Sequence, residues 1–139
     1  VPRLFHPLHA VLLAGTVPLF LGALLGDIAY AGSYEVQWKN FASWLIVGGL
    51  FFGGIALIWG IVELLRGRRE TRVMLYVLVL LVAWILGLID ALVHAADAWA
   101  SMPQGLILSA IVAALAMLAT GVRFARPHEP VRPRARQPI

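Results

Sequence analysis

The sequence predicts an all-α integral membrane protein: a four-helix up-down bundle with both termini in the cytoplasm. Three observations predict it. The chain of 139 residues is 61% hydrophobic and only 13% charged, the composition of a membrane protein rather than a soluble domain. It holds four apolar stretches long enough, or nearly so, to cross a hydrocarbon core of about 30 Å, which takes about 20 helical residues. Its Lys and Arg also fall almost wholly on one side of those stretches. A chain of this length is one domain, read here as a transmembrane domain over 1–122 and a basic, Pro-rich tail over 123–139.

The first helix is expected from about Leu8 to Ala29, the second from Phe41 to Leu65, the third from Val73 to about Ala96 and the fourth from Gly105 to Val122. None of them alternates polar and apolar residues with period two, so barrel strands are excluded. The links are short, which makes successive helices antiparallel neighbours. The first link, Tyr30–Asn40, reads as a wet loop with interfacial aromatics; the second is Arg66–Arg72; the third is Asp97–Gln104, where Pro103 suits a helix start. Pro18 removes a backbone hydrogen bond inside the first helix and predicts a bend there. The tail carries Pro127, Pro130, Pro133 and Pro138 among arginines and is expected to be disordered in water. The chain starts at Val1 rather than Met, as a processed or trimmed chain does, and Val1–Ala29 is too long and apolar for a leftover signal.

Orientation follows from the basic residues. Arg3, four arginines of the second link and five of the tail share one side, against Lys39 alone on the other. That side is therefore cytoplasmic, and the net charge of +4 reads as membrane orientation and anionic lipid contact, not nucleic-acid binding. With no cysteine, disulfides, thiolate metal sites and thiol nucleophiles are excluded. Gly22 and Gly26, Gly49 and Gly53, and the Ser109, Ala113, Ala116 face mark helix-packing seams. No inverted repeat of the kind found in transporters is present, and no polar stripe offers a channel path.

The ionisable residues near the spans fall into two groups. On the outer side, Asp90, His94 and Asp97 are spaced i, i+4, i+7, so a helix puts them on one face with Gly87, and Asp27 at the exit of the first helix can approach them. Charge near hydrocarbon is expensive, so this face must look into protein or towards water. Carboxylates beside an imidazole suit a proton relay, a quinol-deprotonating pair or a loosely held divalent ion; helix ends near water also carry Asp and His routinely. On the cytoplasmic side lie His6, His9 and Glu63. Pro7 at the helix start allows His6 to lie outside the helix, and Glu63, one turn before Arg66, is expected to pair with that arginine. A bis-His haem needs two imidazoles at one depth, but His9 and His94 lie near opposite surfaces and cannot ligate one iron within a single subunit.

The opening HPLHAVLLAGTVPLFLGALLGDIAY, with its His-Pro-x-His start and an Asp closing the first helix, resembles bacterial four-helix membrane proteins of the domain-of-unknown-function 2231 family. The stretch LGLIDALVHAADAWASMPQGLILS is similar to a subgroup of that family found beside, or fused to, quinoprotein sugar dehydrogenases of the sorbosone type and cytochromes c. The resemblance covers about the first 120 residues and places His6, His9, Asp27, Asp90, His94 and Asp97 on the family's polar positions. Where many relatives have Arg before Asp-Ala-Trp, this chain has Ala96. The family carries no assigned activity, so the resemblance implies the topology and a setting of dehydrogenase or respiratory electron transfer. The expected function is a non-catalytic, multi-pass subunit of a bacterial inner membrane that anchors or organises such an assembly through other membrane or periplasmic subunits. The alternative is a redox carrier with b-type haem or a quinone site.

Overall fold

The computed structural model describes residues 2–125, apart from the side chains of residues 2–6 and 98–99. The chain forms α1 (Pro2–Ser33), α2 (Val36–Leu65), α3 (Thr71–Ala95) and α4 (Gln104–Phe124), with a 3₁₀ turn at Ala98–Ser101. No strand occurs among the described residues. All four helices are long and apolar enough to cross a membrane. The expected disordered tail lies, from residue 126 onward, outside the described residues. Its first two members, Arg123 and Phe124, belong instead to the last turn of α4.

The helices run further than hydropathy indicates. The first link, expected as an eleven-residue loop, shrinks to Tyr34 and Glu35. Polar residues continue both helices because they still have core positions to fill: Tyr30 and Lys39 are buried. Tyr34 takes a left-handed φ of 59° and its N–H bonds the Tyr30 carbonyl, which ends α1. The α2 end is a Schellman turn: Gly67, at φ 92°, donates to Leu64 O, and Arg68 donates to Glu63 O. Pro103 caps α4, its carbonyl accepting from Ile107 N. α1 is helical through both Pro7 and Pro18, and it begins early enough that His6 lies within it.

Sequence neighbours pack side by side, α4 closes back on α1, and α1 faces α3 across the diagonal. Buried positions recur at alternating steps of three and four. In α1 they are His9, Leu13, Thr16, Phe20, Ala23, Asp27 and Tyr30; in α3 they are Val73, Tyr76, Leu80, Ala83, Gly87, Asp90 and His94. In α2, Lys39, Ala42, Ile46, Gly49, Gly53, Ala56 and Gly60 keep the same rhythm. A 3.5-residue repeat is the signature of left-handed, knobs-into-holes packing. Small residues let the helices close up, as expected at the marked seams: a Cβ on Gly26 would lie 3.2 Å from the Ala42 Cβ, and one on Gly49 would lie 2.7 Å from the Phe20 ring. Many large apolar side chains point outward; Trp44, Phe51, Ile58 and Leu65 are among the exposed ones, as lipid-facing residues are.

Candidate functional site

The α1–α3 diagonal carries the polar chemistry. Two buried side-chain pairs cross it, His9 with Tyr76 and Asp27 with His94, and both are 67 residues apart in the chain. The helices therefore run parallel in one fixed register, with one pair near each end of the bundle.

At the end away from the termini, Asp27, Asp90, His94 and Ser109 meet in the core. Asp27 and Asp90 are 0% exposed, His94 3% and Ser109 2%, so no water screens them. His94 Nε2 lies 2.7 Å from Asp27 Oδ1. Its Nδ1 faces the Asp90 main-chain oxygen at 2.9 Å and lies 3.0 Å from Asp90 Oδ1. The Nδ1–H is aimed at the main-chain oxygen, so the Oδ1 contact is electrostatic and that oxygen receives no hydrogen bond. Ser109 Oγ lies 2.5 Å from Asp27 Oδ2 and 2.9 Å from Asp90 Oδ2. Gly105 sits against the imidazole, where a Cβ would come within 2.8 Å of Cε1.

The hydrogen-bond geometry sets how many protons the group needs to satisfy its contacts. A serine hydroxyl has one proton, so at one of its two carboxyl contacts it must accept a proton held by the carboxyl. Both imidazole nitrogens face oxygens, so a proton lies in the Nε2–Asp27 contact as well as on Nδ1. With those two extra protons offsetting the two carboxylates, the cluster is electrically neutral, and Asp90 Oδ1 alone in it receives no hydrogen bond. Neutrality is what allows it to sit in a dry core, where an isolated charge is costly.

Asp97 does not join. α3 ends at Ala95 and Ala96 is extended (φ −71°, ψ 170°), so the helical phase that would align Asp97 with Asp90 is lost. Asp97 is exposed, and its carbonyl instead accepts from Ala100 N in the 3₁₀ turn. Lys39, expected as the lone outer cation, is 7% exposed and donates from Nζ to Ala96 O at 2.6 Å, tying α2 to the end of α3.

At the end with the termini, His9 is 2% exposed. Its Nε2 lies 3.0 Å from Tyr76 Oη, and its ring stacks on Trp59 at 5.5 Å. Glu63 does not pair with Arg66, which caps α2 outside the helix. It accepts two hydrogen bonds of 2.8 Å from Arg123 of α4, with Arg68 at 3.8 Å. The Arg123 guanidinium also lies 5.3 Å from the centre of the Tyr76 ring, a cation–π contact. The His6 side chain lies outside the described residues. Sequence reasoning thus found Asp27, Asp90, His94, His9 and Glu63 but missed Ser109, Tyr76, Trp59 and Arg123 as their partners. Ser109 and Tyr76 had one visible signal, a hydroxyl inside an apolar run.

Among the described side chains, no two imidazoles are placed to ligate one haem iron within the chain. Both His94 nitrogens are directed at oxygens of α1 and α3, and His9 Nε2 is engaged by Tyr76. From His9 to Asp27, the two histidine sites are separated by eighteen residues of α1, about 27 Å of rise. Among the described residues, no set of three or more His, Asp or Glu side chains is arranged to hold a metal ion.

A protein-family model described as "Predicted membrane protein (DUF2231)" matches residues 5–125. No curated protein and no solved structure matches the chain.

Proposed function

The chain belongs to the DUF2231 family of predicted membrane proteins, and from that premise we propose that it is a non-catalytic integral subunit of a bacterial inner membrane. In this reading it anchors or organises a larger dehydrogenase or respiratory electron-transfer assembly, with its termini in the cytoplasm. One observation carries the non-catalytic part: the buried polar groups are spent on holding helices together. At the terminus end, His9–Tyr76 joins α1 to α3 and Glu63–Arg123 joins α2 to α4, so both diagonals are braced. At the other end, Asp27, Asp90, His94 and Ser109 join α1, α3 and α4, and Lys39 ties in α2. Groups so engaged brace the four helices against one another and make a rigid platform. The electron-transfer setting is supported by the resemblance of the His6–Tyr30 and Leu86–Ser109 stretches to the dehydrogenase-associated subgroup.

The test is purification from the native membrane in mild detergent, with bound proteins identified by mass and an absorption spectrum recorded on the same sample. Stoichiometric dehydrogenase or cytochrome partners and no Soret band in the chain stripped of them are expected. A Soret band that stays with the stripped chain would overturn the scaffold reading in favour of a redox carrier. Recovery of the chain with lipid alone would overturn the assembly role.

A further inference from the structure

A cavity of about 250 Å³ opens at the terminus end, between the start of α3 and the last turn of α4. Arg68, Arg72 and Arg123 line it with Glu70, His9 and Phe124. Three guanidiniums therefore stand against two carboxylates, Glu70 in the wall and Glu63 behind it. Glu63 already holds Arg123 through both oxygens and draws Arg68 to 3.8 Å. Among the described residues Arg72 makes no ion pair, so the surplus positive charge of the cavity resides there. The backbone adds to it: Glu70, at the N-cap of α3, makes no side-chain hydrogen bond to the first amides of the helix.

We propose that this cavity binds a phosphate-class oxyanion, the phosphodiester or phosphomonoester of an anionic lipid headgroup. Guanidinium forks match phosphate oxygens two at a time. The volume falls just below the range of pockets that enclose drug-sized ligands, so it takes a headgroup and not a nucleotide. The wall is apolar where Phe124 stands, 51% exposed. Acyl chains can run down that surface while the phosphate sits among the arginines. The site is independent of the scaffold reading above.

The test uses the full chain, purified and delipidated in a neutral detergent, with binding followed by native mass spectrometry and by thermal melting. Phosphatidylglycerol is added in one arm, phosphatidylcholine in a second and inorganic phosphate in a third. Retention of phosphatidylglycerol over phosphatidylcholine with a raised Tm is expected, and Arg72→Gln should weaken it about tenfold, the loss of one charge-assisted contact. Arg69→Gln, in the same link but outside the cavity lining, should leave it unchanged. A response to inorganic phosphate without a lipid preference, lost in Arg72→Gln, would keep the oxyanion site but overturn the lipid as its source. Equal losses in Arg72→Gln and Arg69→Gln would reduce the effect to general surface charge and overturn the site. So would an absence of binding in all three arms.

Discussion

Ser109 holds one proton between two carboxyl oxygens, and that shortage governs how the cluster should respond to substitution. An Asn at position 90 can donate from its amide to Ser109 Oγ as a protonated carboxyl would, so Asp90→Asn should stay within about 1 kcal/mol of wild type. Asp90→Leu removes the Ser109 contact at 2.9 Å and the electrostatic contact with His94, and should cost about 1–3 kcal/mol. Asp27 has both oxygens engaged, by His94 and by Ser109, so Asp27→Leu strips two buried partners and should cost about 3–5 kcal/mol. Thermal unfolding in detergent ranks the three. An Asp90→Leu variant as stable as wild type would show that the contacts of Asp90 hold nothing together. Infrared difference spectra give an independent reading: a protonated-carboxyl C=O band should be present in wild type and lost in Asp90→Asn or Asp27→Asn.

Among the elements, α3 and α4 meet closely where Gly105 faces His94. The His94 ring is held at both nitrogens and cannot swing aside, so the 2.8 Å approach of an added Cβ must be met by moving a helix. Gly105→Ala should cost about 1–3 kcal/mol by overpacking. Gly15→Ala, with nothing within 4 Å of the new carbon, should be neutral or stabilising by helix propensity. Equal melting temperatures for the two variants would contradict the packing. The same helices show what the sequence could and could not disclose. Four spans were legible because apolar runs of this length have no other use. Their inward faces were not legible from hydrophobicity, since the helices are apolar all round; the small and polar residues Thr16, Asp27, Gly49 and Ser109 mark the core instead. The approach of Asp27 to His94 followed from depth and chain order. The partnership of Glu63 with Arg123 did not, because it depends on α4 remaining helical past the last apolar residue. Asp97 was misplaced because helical phase was extended two residues beyond the true end of α3.

For the whole molecule, orientation remains the quantity to measure. The ten-to-one division of Lys and Arg predicts that both termini face the cytoplasm. Ser33 and Asp97 are exposed at one end and Thr71 at the other. Cysteines placed at positions 33 and 97 should react with a membrane-impermeant reagent in intact spheroplasts, and one at 71 should not. The reverse pattern would invert the bundle and place the arginine-lined cavity outside.

The fixed offset of 67 residues between α1 and α3 turns the helix between His9 and Asp27 into a ruler. Removing one residue from that interval would shift everything beyond it by about 1.5 Å and turn it by about 100°. One polar pair could then survive only by abandoning the other, so the interval should tolerate substitution far better than insertion or deletion. The ruler's length of about 27 Å is close to the thickness of a bilayer's hydrocarbon layer. The two braces, at His9 and Asp27, are thus set about one hydrocarbon thickness apart along the helix.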